Sequence, residues 1–131
     1  MRGRLVEVYS DGSRNRCANP CEWWTGTTNV FKGRVDPRLA GRRVYFQYKR
    51  PNASRWKRVG TWPEWTTSHK HFHSRAKRHW TTVDSNGRYG LRITAGFKSA
   101  GRFRVRARIP ATSGWASDSV TKRVRVFYAG D

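Results

Sequence analysis

Apolar and polar residues alternate along most of this chain, and nowhere more strictly than over residues 101–109, Gly-Arg-Phe-Arg-Val-Arg-Ala-Arg-Ile. Successive side chains of a β-strand point to opposite faces, so Phe103, Val105, Ala107 and Ile109 share one face while Arg102, Arg104, Arg106 and Arg108 share the other. A helical period does not separate the two sets. One face can join a core while the other presents guanidinium groups ~6.7 Å apart, the spacing of alternate residues in an extended strand.

The same reading predicts strands over Leu5–Tyr9, Thr28–Val35 and Arg42–Lys49. In the last of these Val44, Phe46 and Tyr48 face one way and Arg43, Tyr45, Gln47 and Lys49 the other. After the Pro51-Asn52 turn, residues 55–62 are expected to return as a hairpin partner. Residues 81–83 and 89–93 flank Asp84-Ser85-Asn86-Gly87, where Asn-Gly suits a tight hairpin. A final strand over residues 122–128 turns Val124, Val126 and Tyr128 inward and Arg123 and Arg125 outward. About seven short strands separated by turn signals, with no convincing amphipathic helix, predict an all-β sandwich. With 131 residues, one domain spanning 1–131 is expected, burying roughly two thirds of its unfolded surface.

Charge adds a class of partner. Lys and Arg total 28 against 8 Asp and Glu, a formal net charge of +20. Such an excess attracts polyanions: nucleic acid, acidic wall polymers, anionic lipid, and sulfated or uronic glycans. Arginine predominates, and its planar donors match carboxylate and phosphate. The seven Trp residues argue against a disordered basic tail. No apolar run approaches the ~20 residues needed to span a bilayer, so membrane insertion is not expected. Cys17 and Cys21 close a short Cys-Ala-Asn-Pro-Cys segment within a polar loop over 10–27. They are expected to form a disulfide that pins the loop carrying Trp23 and Trp24; half of a metal site is the competing reading. A disulfide implies an extracellular or cell-surface protein whose leader has been removed. If Met1 is the native start, the absence of an apolar signal segment implies a cytoplasmic one instead.

Five segments in order, Gly33-Arg-Val-Asp-Pro37, Ala40-Gly-Arg-Arg-Val-Tyr-Phe-Gln47, Trp56-Lys-Arg-Val-Gly-Thr61, Thr81-Thr-Val-Asp-Ser-Asn-Gly-Arg-Tyr89 and Ala100-Gly-Arg-Phe-Arg-Val-Arg-Ala107, carry a resemblance to a known family. Over about residues 28–128 the chain resembles the bacterial immunoglobulin-like domains of secreted and wall-associated actinobacterial proteins. The resemblance implies an immunoglobulin-like (fibronectin III-like) antiparallel sandwich that serves as a spacer, adhesion module or ligand-binding accessory. Two features depart from the family pattern: the Cys-closed loop, and a basic His/Trp-rich insertion over about 62–80 that contains all four histidines.

Within that insertion His69, His71 and His73 alternate, but in a straight strand the outer pair lies ~13 Å apart, so one ion cannot engage all three without a bend. Supporting ligands are limited to Glu64 and His79. The segment therefore reads as a polar, pH-sensitive loop, with neither metal nor cofactor expected. Catalysis is not expected either: the few acids are scattered, Asp36 precedes a proline and Asp84 opens a turn. The stronger candidate is a binding face. In the implied sandwich the strand of Arg102, Arg104, Arg106 and Arg108 lies between the strands of Arg123 and Arg125 and of Arg43, Tyr45 and Lys49. Their outward rows are expected to merge without an intervening acid. From the insertion, Trp62, Trp65, His69, His71, His73, Arg75, Lys77, Arg78 and Trp80 are candidate additional contacts.

Repulsion between cations ~6.7 Å apart is only about 0.6 kcal/mol in bulk water, so the fold tolerates the array. The expected role is a non-enzymatic binding or structural module contacting an anionic polymer, acidic cell-wall polysaccharide foremost, or an acidic protein surface. Nucleic-acid binding through phosphates and assembly into an extracellular fibre or virion are the alternatives. Oligomeric state is not legible.

Overall fold

A computed structural model of the chain describes residues 1–9, 11, 13–60, 64–67 and 79–130. Among them are eleven strands: β1 (Arg2–Val8), β2 (Arg14–Arg16), β3 (Cys21–Trp24), β4 (Thr28–Arg34), β5 (Arg43–Lys49), β6 (Lys57–Arg58), β7 (Trp65–Thr67), β8 (Trp80–Thr82), β9 (Arg88–Ala95), β10 (Gly101–Ile109) and β11 (Asp118–Phe127). The fold is an all-β sandwich of two sheets. The first has the order β2-β1-β4-β9-β7 and the second β3-β11-β10-β5-β6, with β8 also paired to β5.

Alternation along the strands builds the core between them. Leu5, Phe31, Tyr89, Leu91 and Ile93 of the first sheet meet Val44, Phe46, Tyr48, Phe103, Val105, Val124 and Val126 of the second, all buried. Phe31 and Phe46 pack edge to face across the interface with centroids 5.6 Å apart. Fully burying one such side chain contributes roughly 1.5–3 kcal/mol, so this layer dominates the stability. Beneath Tyr89, Gly3 and Gly33 are in register on β1 and β4. A side chain at Gly33 would overlap the Arg2 carbonyl and the Tyr89 ring. The space is taken by the Tyr89 hydroxyl, which donates to the Arg2 carbonyl at 2.5 Å.

Several expectations are corrected. There are more than seven strands: β7 forms within the expected insertion, and the 10–27 segment is not a plain loop. Its β2 pairs with β1, and its β3 adds in parallel to β11. Among the described residues, the expected strand over 55–62 is limited to the two residues of β6. The outer edge of β5 is shared: β8 takes Arg43, Val44 and Tyr45, leaving Gln47 and Tyr48 to β6. The Asp84–Gly87 turn forms, with Gly87 at φ 79° and the Asp84 carboxylate accepting from the backbone of Asn86 and Arg88 at 2.9 Å. It is not a hairpin, however, because β8 joins the second sheet and β9 the first. The turn is a corner between layers, closed by the Val35 amide donating to the Gly87 carbonyl at 2.8 Å. Tyr128 does not face inward: β11 ends at Phe127 and Tyr128 is 57% exposed.

Candidate binding face

Strand β10 lies between β11 and β5, and the register merges their outward rows. Arg102 pairs with Arg125, and Arg104 with both Arg123 and Lys49. Arg106 pairs with Gln47 and Thr121, and Arg108 with Tyr45 and Ser119. Arg43, Arg102, Arg104, Arg123 and Arg125 are exposed, while Tyr45, Lys49, Arg106 and Arg108 are half-buried.

Like charges directly opposite one another destabilise a sheet, and the structure offsets this with ring and carbonyl partners. Arg106 Nε donates to Gln47 Oε1 at 2.7 Å. Its guanidinium lies 4.3 Å from the centroid of Trp56, and Lys49 Nζ lies 4.9 Å from the same ring. Arg43 stands 4.1 Å over Trp80, and Arg125 stands 4.8 Å over Phe127. Arg123 Nε donates to Asn19 Oδ1 at 3.3 Å. An aromatic face attracts a cation without neutralising it, so the array keeps its positive potential.

Two titrating groups record that potential. Burial first, and then Arg58 and Arg43, hold His79 below the ordinary imidazole range. Its ring packs against Tyr45 with centroids 5.9 Å apart. Burial, followed by Arg108, draws Arg106 downward, yet a guanidinium remains charged.

One border of the face differs from expectation. Parallel addition of β3 puts Glu22 in register with Arg125, so an acid flanks the array at that edge. Trp65 is not a surface contact: it is fully buried, stacked on Tyr48 at 4.9 Å and edge-on to Phe103 and Trp23 at 5.1 Å. Trp80, 8% exposed, serves the face only as the ring beneath Arg43. Trp62, His69, His71, His73, Arg75, Lys77 and Arg78 lie outside the described residues. The two described ends of the insertion, β7 and β8, belong to opposite sheets. Trp56 was not singled out from the sequence, although an aromatic within Ser54-Arg-Trp-Lys-Arg58 was the available signal.

Cys17 and Cys21 are disulfide-bonded, with Cα atoms 4.8 Å apart. The bridge links the end of β2 to the start of β3 and so spans the two sheets at one edge. The Glu7 carboxylate and both sulfurs come within 4.8 Å of one another, but bonded sulfurs are not the thiolates that ligate a metal. Asp36 is engaged locally: hydrogen bonds from the Arg38 side chain and backbone draw it down to about 2. No helix among the described residues is long and apolar enough to cross a membrane. Comparison with known proteins returned neither a matching family model nor a matching curated relative.

Proposed function

We propose that this chain is an immunoglobulin-like, fibronectin III-like module, secreted or held at the cell surface, that binds acidic polysaccharide through the outer face of β5, β10 and β11 without catalysing a reaction. The observation that carries this reading is the register of Arg104 between Arg123 and Lys49, which turns three separate rows into one cationic surface. Arginine pairs fit carboxylates and sulfates, and the Trp56 ring holds the Arg106 and Lys49 cations in place on that surface. The disulfide supports an oxidising compartment, where cell-wall glycans are met.

A salt series comparing polygalacturonate, duplex DNA and single-stranded DNA tests the proposal. Retention of polygalacturonate near physiological ionic strength, with both DNAs released first, supports it. Preferential retention of either DNA with a steep salt slope transfers the face to nucleic acid. Equal release of all three at low salt removes the ligand claim.

A further inference from the structure

The outer face of the other sheet carries a second set of cations. Arg2, Arg34 and Arg88 stand in one cross-strand row over β1, β4 and β9, and Arg4 is in register with Lys32 in the next. With Arg14 and Arg16 on β2, they line a surface depression of about 660 Å³ whose remaining lining is Gly3, Gly33 and Tyr89. No carboxylate lines it among the described residues; Asp84 lies 3.3 Å from Arg88 Nε at the rim. Burial, and then Arg4 and Arg14, lower the pKa of Lys32, as crowding by like charge requires. An anion entering the depression would relieve that crowding.

This depression shares two lining residues with a notch that reaches β11. Arg4 and Arg16 also line a neighbouring notch of about 300 Å³, beside Cys17 and Cys21, whose far wall is Lys122 and Arg123 of β11. Arg123 is the residue in register with Arg104. Cations from both sheets thus meet at the edge spanned by the disulfide, where Glu7 and Glu22 are the neighbouring acids.

We infer that the outer face of the first sheet is a second site for acidic polysaccharide, joined to the first through the notch beside the disulfide, so that one long chain engages both faces. The identity of the polymer rests on the proposed function, while the second site rests on its own geometry. Two sites linked along one chain raise affinity through effective concentration, whereas a chain too short to reach both gains nothing.

The test compares galacturonate oligomers of about four and about twenty residues against the wild type and the double variants R4Q/K32Q, R4Q/R34Q and R104Q/R106Q. Circular dichroism and melting confirm that each variant is folded. Wild-type affinity is expected to rise about tenfold or more with length beyond the statistical gain from repeated epitopes. R4Q/K32Q and R4Q/R34Q are expected to lose that rise while keeping tight binding of the short oligomer to the first face. Wild-type affinities for both lengths in both of these variants would overturn the inference. If R104Q/R106Q binds the short oligomer as the wild type does, the reading of the first face falls instead, and the R4Q pairs still decide the second.

Discussion

The guanidinium of Arg106 lies 4.3 Å from the ring centroid of Trp56, and Lys49 Nζ reaches the same ring from 4.9 Å. One tryptophan thereby steadies cations from two neighbouring strands and holds them pointing outward. Trp56→Ala is expected to lower stability by about 1–2 kcal/mol, from two cation–π contacts and a half-buried ring, and also to weaken polysaccharide binding. Trp56→Phe, which keeps an aromatic face, is expected to recover most of both. Urea denaturation and a binding isotherm check this; an Ala variant that binds like the wild type would show that Trp56 does not serve the binding face.

Arg104→Gln with Arg106→Gln removes two outward charges at the centre of the face. Charge-assisted contacts contribute roughly 1.5 kcal/mol each or somewhat less under screening, so affinity is expected to fall about tenfold to a hundredfold. Melting temperature is expected to change little, because relief of the repulsion of Arg104 by Arg123 and Lys49 is offset by loss of the Arg106 contacts to Gln47 and Trp56. Titration calorimetry beside thermal melts separates these two effects.

The depressed pKa of His79 makes stability depend on pH in a defined direction. The folded protein binds fewer protons at this site than the unfolded chain does. The stability associated with neutral His79 is therefore complete above about 6.5 and is lost as pH falls toward the folded pKa. His79→Gln is expected to flatten that part of the profile, measured by urea midpoints across the range. An unchanged slope would show that His79 does not contribute.

Gly87 occupies φ 79°, and a Cβ there would overlap the Val35 carbonyl. Gly87→Ala is expected to cost about 2–3 kcal/mol, combining left-handed strain with displacement of that backbone contact. Asn86→Ala, at an exposed neighbouring position of the same turn, is expected to cost well under half as much. Equal losses would show that the corner does not depend on the glycine.

Reduction, or replacement of Cys17 and Cys21 by Ser, opens a ring of sequence separation 4. The expected loss is about 2 kcal/mol by the loop-entropy relation. Because the bridge adjoins β3, amides of Cys21–Trp24 are expected to lose hydrogen-exchange protection before those of β10. Uniform loss across the second sheet would contradict a local role.

The strands with strict alternation were legible because one local rule decides them. Phe103, Val105 and Ala107 could face only the core once Arg102, Arg104 and Arg106 faced solvent. Strand β3 was not legible, because parallel addition to β11 depends on a long-range pairing that Cys-Glu-Trp-Trp does not encode locally. The same limit explains Glu22, which borders the face only through that pairing. The Asn-Gly turn was correctly read as a turn, but turn chemistry does not say whether its flanking segments pair with each other or enter different sheets. Trp65 and Trp56 both occur among polar residues, yet one fills the core and the other supports the cations. Their difference is set by the sheet each neighbouring segment joins.

The central claim, that the merged rows of β5, β10 and β11 hold an acidic polysaccharide, is tested most directly by NMR titration with a short galacturonate oligomer at about 0.15 M salt. The account predicts saturable shifts at the Trp56 indole N–H, the Arg104 and Arg106 Nε–H groups and the neighbouring amides of Lys49 and Arg123. An absence of saturable shifts at these groups, or shifts confined to other surfaces, would contradict it.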